Sequence, residues 1–371
     1  MSKVVNIGLI GCGAISGIYL KNLQNVFLNT NIVAVADRIP ERAKKASDEW
    51  GIKIQSNEEL VNNPDIDIVL NLTTPDSHYI VNKAAIEAGK HAYTEKPLCS
   101  TFEEGKEIVS LAAKKGVMLG GAPDTFMGAG IQTCRKIIED GYIGRVVGAS
   151  AFYASRGHET WHPSPEFYYE KGGGPMFDMG PYYLTALINL IGQVDEVFGF
   201  ATKGFDYRII SSEPKFGKRV DVEVPTTIQS LLKFSTGAVA TIVTSFDFVA
   251  HSHPFLEIYG TEGSLLVPDP NYFEGPVKVC SRDEEGYKEM PLTHSYKENM
   301  RGLGVADMAQ CIIDGRTDAR ASHNVNYHVL EVMEAVHTAG ATGKVYKMQT
   351  KFEKPKLMPI GLVKGTLDLY S

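Results

Sequence analysis

Cysteine is scarce in this chain: five in 371 residues, at Cys12, Cys99, Cys134, Cys280 and Cys311. The number is odd, the spacing wide, and no CxxC pair occurs, which excludes a disulfide framework and a cysteine zinc site. A reducing compartment follows as the simple reading. No uninterrupted apolar run reaches the ~18–20 residues of a membrane span. Met1-Ser2-Lys3 leads straight into a short apolar run and a glycine turn, without the longer apolar stretch and small-residue cleavage site of a signal peptide. A cytoplasmic protein is expected. Positive charge is in deficit, 37 Lys and Arg against 44 Asp and Glu, with no long basic run. That balance disfavours a nucleic-acid or membrane partner. No HExxH or clustered His/Asp pattern appears, so no metal is expected. What is present is ordinary for a globular protein, 43% hydrophobic and 22% charged residues, in a length that suits about two domains. Glycine is plentiful, 36 residues against 18 prolines.

The first third alternates strand and helix signals. Strands are expected over residues 4–10, 32–36, 66–72, 91–94 and 117–119, the last followed by Gly120-Gly121. Helices are expected over about 14–24, 40–50 (opened by Pro40 and stopped by Gly51), 76–88 (closed by Gly89) and 102–115 (ended by Gly116). Ser56-Asn57-Glu58-Glu59 and Thr101-Phe102-Glu103-Glu104 read as capping boxes. Alternation at this spacing implies right-handed crossovers and a doubly wound parallel sheet. Ligands on such sheets bind beyond the carboxyl ends of the strands.

Three segments fall at those ends. Gly11-Cys12-Gly13-Ala14-Ile15-Ser16 follows the first strand and opens a helix. Gly11 permits the tight turn, Gly13 lets backbone approach a pyrophosphate, and the small Ser16 lets helix and strand pack closely. The helix N-terminus offers free N–H groups to phosphates. Asp37, at the end of the second strand, suits the adenosine ribose hydroxyls and so NAD; the adjacent Arg38 leaves NADP open. Glu95-Lys96-Pro97 ends the fourth strand, where a nicotinamide would fall. Its lysine can hold an alkoxide or relay a proton, a task that desolvation serves by lowering the lysine pKa.

After Pro123 the pattern changes. A helix over 131–140 precedes alternating strands over 146–153, 226–234, 238–248, 255–259, 264–267 and 277–280, with hairpin turns at Gly237 and Gly260. This reads as a large, mainly antiparallel sheet with one covered face. A helix over 326–342 carries a core stripe. The domains expected are 1–122 and 123–371. Residues 151–190 hold nine aromatics: Phe152, Tyr153, Trp161, Phe167, Tyr168, Tyr169, Phe177, Tyr182 and Tyr183. With Arg156, His158, His162 and Asp178 among them, they suit a polyol, which has apolar faces and a hydroxyl rim. If the helix after Gly172-Gly173-Gly174-Pro175 is continuous, Asp178, Tyr182 and Thr185 share one face. A nearby ammonium such as Lys96 would lower the Tyr182 phenol. Arg156, Trp161 and His162 are candidate substrate contacts, and His251 and His253 further candidates.

The Gly11-Cys12-Gly13 turn, Asp37, Thr74-Pro75-Asp76-Ser77-His78 and Glu95-Lys96-Pro97, in this order, resemble the Gfo/Idh/MocA oxidoreductases over nearly the whole chain. The resemblance implies an N-terminal Rossmann domain and a C-terminal α+β domain that binds substrate and forms dimers or tetramers through its sheet. It implies that Lys96 is the catalytic lysine and that Thr73, Thr74, Pro75 and His78 line the cofactor cleft. Asp178 matches the family's aspartate. Tyr182 stands where many members have histidine, which departs from the inositol dehydrogenase branch. The expectation is hydride transfer between NAD(P) and a carbinol or carbonyl carbon of a sugar, sugar derivative or polyol. Tyr182 would take the hydroxyl proton, Lys96 hold the oxygen, and Asp178 orient substrate or stabilise Lys96. Two alternatives stand beside it: glycoside cleavage through transient oxidation, and a non-catalytic dinucleotide-binding sensor.

Overall fold

Short buried strands joined by amphipathic helices build the first third of the chain in the computed structural model, which describes residues 3–368. Met1 and Ser2, on which the reading of the N-terminus rests, and residues 369–371 lie outside the described residues. The order is β1 (Val5–Ile10), α1 (Ser16–Asn25), β2 (Thr30–Ala36), α2 (Pro40–Trp50), β3 (Lys53–Ile54), α3 (Asn57–Asn62), β4 (Ile68–Asn71), α4 (Pro75–Glu87), β5 (His91–Thr94), α5 (Phe102–Lys115) and β6 (Leu119–Gly121). All neighbours pair in parallel in the order β3-β2-β1-β4-β5-β6. This is the strand order of dinucleotide-binding sheets, with its switch point beside β1. Both expected capping boxes form: Ser56 and Glu59 exchange backbone and side-chain hydrogen bonds, and so do Thr101 and Glu104.

One strand lies differently from its expected place. β6 covers Gly120 and Gly121 rather than ending before them. A Cβ on Gly120 would sit 2.5 Å from the Ala321 carbonyl oxygen, and one on Gly121 would sit 2.9 Å from that of Thr94. The glycines are strand residues that let the returning chain pack against the sheet.

The rest of the chain runs α6 (Ala129–Glu139), β7 (Val146–Ala154), α7 (Pro175–Asp178), α8 (Gly180–Ile191), β8 (Val194–Thr202), β9 (Tyr207–Ile209), β10 (Arg219–Asp221), β11 (Thr227–Phe234), β12 (Val239–Ser245), β13 (Leu256–Gly260), β14 (Gly263–Val267), β15 (Val277–Ser281), β16 (Lys288–Met290), α9 (Leu303–Asp314), α10 (His323–Thr342) and β17 (Tyr346–Lys347). Nine strands form the second sheet in the order β16-β15-β14-β13-β7-β12-β11-β8-β17. Its pairs are antiparallel except β7 with β12, which run parallel. Buried and exposed residues alternate along β11, so one face is covered and the other open. β9 and β10 form a separate hairpin, which shares a small core with Tyr169 and Phe246.

The chain then returns to the first sheet. α9 packs on β1 and β6, and α10 spans from β8 to β6 and α5. Asn326 donates to the carbonyls of Gly121 and Ala122, both at 3.1 Å. No continuous helix runs across Asp178 and Tyr182. α7 ends at Asp178, and Met179, at φ −106°, separates it from α8. Thr185 therefore does not continue one helical face from Asp178, and its buried hydroxyl has no hydrogen-bond partner among the described residues. No helix among the described residues is long and apolar enough to cross a membrane.

Candidate active site

The carboxyl ends of β1, β2, β4 and β5 form one wall. Gly11 follows β1 at φ +102°, and a Cβ there would lie 2.6 Å from the Leu72 carbonyl carbon, so only glycine fits. Gly13 is the opposite case: nothing lies within 4 Å of where its Cβ would be. Ser16 donates from Oγ to the Gly13 carbonyl at 2.7 Å, closing the turn onto α1. Asp37 braces the same turn from β2. Its Oδ2 accepts from Cys12 N and its Oδ1 from Ile39 N, both at 2.7 Å. Each oxygen keeps acceptor capacity toward the cleft. Arg38 and Ala14 are exposed and Ile15 half-buried. Burial first, then Asp37, pushes the Cys12 thiol up to about 11, so it stays protonated at neutral pH.

Behind β4 and β5 a buried network holds two loops together. Asn71 Oδ1 accepts from Thr73 N at 3.2 Å and from Thr73 Oγ1 at 2.6 Å. Thr74 and Pro75 start α4. His78 has no exposed surface, and its ring nitrogens face the Pro97 carbonyl at 2.7 Å and the Thr73 carbonyl at 3.1 Å. It ties the loop after β4 to the loop after β5 from behind instead of lining the cleft. Burial lowers its pKa despite the two carbonyls. Glu95 accepts from Tyr19 Oη at 2.7 Å and from Lys96 N at 3.0 Å, which fixes the start of the Lys96 side chain.

Lys96 reaches across to the second domain. Its Nζ donates to the Asp178 carbonyl at 2.6 Å and to Asp178 Oδ1 at 3.0 Å. An ammonium has three N–H groups, so one remains for a ligand. Asp178 Oδ2 meets His158 Nε2 at 2.8 Å, and Trp161 Nε1 donates to His158 Nδ1 at 3.3 Å. Indole nitrogen only donates, so Nδ1 accepts and Nε2 carries the hydrogen given to Asp178. The result is a hydrogen-bonded chain, Trp161–His158–Asp178–Lys96. Tyr182 arrives from α8, its ring centroid 5.3 Å from Lys96 Nζ. The loop carrying His158 is anchored in turn. His158 N donates to Tyr169 Oη at 3.2 Å, Tyr169 bonds Glu159, and Glu159 accepts from Arg208 at 3.1 Å.

Electrostatics sets the resting charges. Burial opposes the Lys96 ammonium, but Asp178, Tyr182 and Glu95 together outweigh it and hold its pKa above the ordinary lysine value. The expected downward shift is not found, because the ion pair more than compensates for desolvation. Burial would raise Asp178, yet Lys96 and the His158 hydrogen bond bring it down to about 2. For Tyr182 burial is the largest influence and the phenol ends above its usual value, although Lys96 and Arg301 pull downward. Lys96 acts in the expected direction and is outweighed. Tyr153, up to about 12 mainly through burial, and Tyr168 also feel the Asp178 and Lys96 charges.

Other candidates sit elsewhere. His162 stacks edge-on to Trp161, Phe167 and Tyr168, one ring outside the hydrogen-bonded chain. Arg156 is exposed and donates to the Val249 carbonyl at 3.0 Å, away from Lys96. His251 and His253 pack on Phe152. Phe152 and Tyr153 point to opposite faces of β7, and Tyr153 faces the site, so both histidines lie behind the sheet. Sequence reasoning placed His158 in the aromatic segment without giving it a role. His158 and His162 flank the same tryptophan, and nothing local separates them. Arg301 carries no motif and was missed entirely.

Two family profiles match this chain: "Oxidoreductase family, NAD-binding Rossmann fold" over residues 5–121 and "GFO/IDH/MocA C-terminal domain" over residues 131–266. The chain belongs to the GFO/IDH/MocA oxidoreductase family. This oxidoreductase is 28% identical over 327 residues to the 1,5-anhydro-D-fructose reductase of Ensifer adhaerens, across 86% of this chain and 91% of the relative. Its fold matches an NAD-binding oxidoreductase from Klebsiella pneumoniae with a TM-score of 0.81 at 23% identity, over 94% of this chain and 100% of that one. It matches levoglucosan dehydrogenase in complex with NADH with a TM-score of 0.80 at 21% identity, over 94% and 100% of the two chains. The first sheet is an NAD-binding Rossmann domain, and its residues fit that cofactor. Gly13 leaves the space a Cβ would fill, and Asp37 stands braced at the end of β2.

Proposed function

We propose that this oxidoreductase is an NAD(P)-dependent dehydrogenase or reductase acting on a CH–OH or carbonyl carbon of a sugar, sugar derivative or polyol. In this reading residues 1–122 bind the cofactor and residues 123–371 bind substrate and form the oligomer. The observation that carries it is the third Lys96 N–H, left free by Asp178 and placed beside the Tyr182 phenol at the end of β5. Two sequence relatives are named as a 1,5-anhydro-D-fructose reductase and a levoglucosan dehydrogenase.

Gly11, Gly13 and the start of α1 would hold the diphosphate, and Asp37 the ribose that favours NAD. NAD, when bound, supplies or accepts the hydride. Lys96 donates to the reacting oxygen from above the Tyr182 ring. Asp178, held by His158, keeps the ammonium charged and aimed. Tyr182 gives its proton to the oxygen in reduction and recovers it in oxidation. Both Lys96 and Tyr182 titrate above their usual ranges, so at neutral pH the site is set as a proton donor. Reduction then proceeds across neutral pH. Oxidation needs a deprotonated acceptor and speeds up as pH rises into the alkaline range.

The open face of the second sheet supports a homo-oligomer, dimer or tetramer. Phe200, Leu231 and Val239 share that face and are 62%, 47% and 44% exposed. They lie on a diagonal across three neighbouring strands, β8, β11 and β12, and exposed apolar side chains grouped in this way suit a protein interface. The five cysteines are unpaired, which suits a cytoplasmic location.

The test is a panel of sugars and polyols with NAD and NADP, read at 340 nm. Net NADH formation that climbs with pH is expected. A panel in which product forms with no net change in NADH would favour a cycle that regenerates its cofactor, such as glycoside cleavage.

A further inference from the structure

Arg301 is a half-buried cation just before α9, and no carboxylate among the described residues pairs with it. Nη2 donates to the Asn271 carbonyl at 3.1 Å and to Asn271 Oδ1 at 2.8 Å, and Nη1 donates to Asn299 Oδ1 at 2.9 Å. A guanidinium has five N–H groups; the Nε–H and one Nη1–H are left. The Arg301 carbonyl accepts from Asn22 Nδ2 at 2.9 Å, and a Cβ on the next residue, Gly302, would lie 3.6 Å from the ring of Tyr19, whose Oη donates to Glu95 at 2.7 Å, so Arg301 stands at the Glu95–Lys96 end of the cleft; there its charge and one of the two remaining N–H groups act on the Tyr182 hydroxyl. Asp124 is the carboxylate whose charge it feels most. Asp124 Oδ2, however, accepts from Gly302 N at 2.9 Å and Gly304 N at 3.0 Å and forms no ion pair with Arg301. Lys96, the other cation at Tyr182, is already neutralised by Asp178.

An unpaired, half-desolvated guanidinium is costly in the free protein, and a bound anion removes that cost. Two asparagines from separate loops hold it in one orientation, which is the preorganisation a recognition residue needs. We propose that Arg301 binds a carboxylate or phosphate in the ternary complex. The geometry favours an anionic group on the substrate, that of a sugar acid or a sugar phosphate, because Arg301 borders Tyr182; the other source of the same chemistry is the cofactor diphosphate. The substrate assignment rests on the reading that Tyr182 faces the reacting oxygen.

The experiment compares full-length wild type, Arg301→Gln, Arg301→Lys and Asn271→Ala, each checked by thermal melting. NADH affinity is read by fluorescence titration. Binding of D-glucuronate, glucose 6-phosphate and D-glucose to the NADH complex is read by calorimetry, which needs no turnover. With the anion on the substrate, Arg301→Gln weakens glucuronate or sugar phosphate binding at least ~10-fold. Arg301→Lys recovers part of that loss, Asn271→Ala weakens it less, and glucose and NADH binding stay within about twofold. With the anion on the cofactor, NADH affinity falls at least ~10-fold and the acid-to-neutral preference stays fixed. If every folded variant leaves both quantities unchanged, or if no anionic probe binds the wild type and NADH affinity is unaffected, the proposal is overturned. Should Arg301→Gln not fold, Arg301→Lys and Asn271→Ala decide between the same outcomes. Anion binding through Arg301 with no turnover of any sugar would refute the hydride-transfer reading and leave this one standing.

Discussion

The two walls of the cleft are built from different materials. On the Rossmann side, the proposed cofactor site is mostly backbone, a glycine at φ +102° and an open Cβ position at Gly13, with one side chain, Asp37, clamped by Cys12 N and Ile39 N. Every part lies at or just past the carboxyl end of β1 or β2. On the other side, the proposed substrate site is assembled from side chains of distant segments: Lys96 from just past β5, His158 and Asp178 from the loop and short helix after β7, and Tyr182 from α8. The glycine turn depends on one side chain, the Asp37 carboxylate that braces it. A side-chain site is held by its neighbours' hydrogen bonds, and removing one member disturbs the rest.

Substitutions should separate the walls by their readout. The largest effect belongs to Tyr182→Phe, expected to lower turnover by ~10²-fold or more, the scale of acid–base catalysis, with NADH affinity unchanged by titration. His158→Leu comes next. It removes the donor to Asp178 and loosens the Lys96 pair, for a loss of about tenfold in kcat, and it shifts the pH profile of oxidation, which a purely structural defect would not do. Asp37→Ala does the reverse. It should weaken NAD by about tenfold relative to NADP, since hydrogen bonds to a charged group contribute about 1.5–3 kcal/mol, and leave kcat at saturating cofactor near wild type. Equal effects of Tyr182→Phe and Asp37→Ala on both readouts would erase the distinction.

The same contrast explains what was legible in the sequence. Capping boxes at Ser56 and Thr101, the stops at Gly51 and Gly116, the strand His91–Thr94 and the Asp37 position are local patterns, and they appear where expected. The strand expected over 117–119 stops short of Gly120 and Gly121, because the reason for a glycine at 120, a returning chain at Ala321, lies far away in sequence. β8 contains Gly199, whose missing Cβ makes room for Ser230 of the neighbouring strand, and that gap hid a strand. Whether the helix runs on from Asp178 to Tyr182 is left open by the sequence, and the structure has a break at Met179. Lys96, Asp178 and Tyr182 were found as residue types, and the structure brings all three together. Their charges were read less well. The sign of each pKa shift depends on burial against partners, and the partners His158 and Arg301 cannot be picked out from spacing.

The most direct test of the account is NADH formation at 340 nm by wild type and Lys96→Ala over the sugar and polyol panel, paired with NADH titration of both proteins. The account predicts NADH formation by wild type, a loss of at least ~10²-fold in Lys96→Ala, and NADH affinity within about twofold between the two. Turnover of Lys96→Ala at the wild-type rate would contradict it.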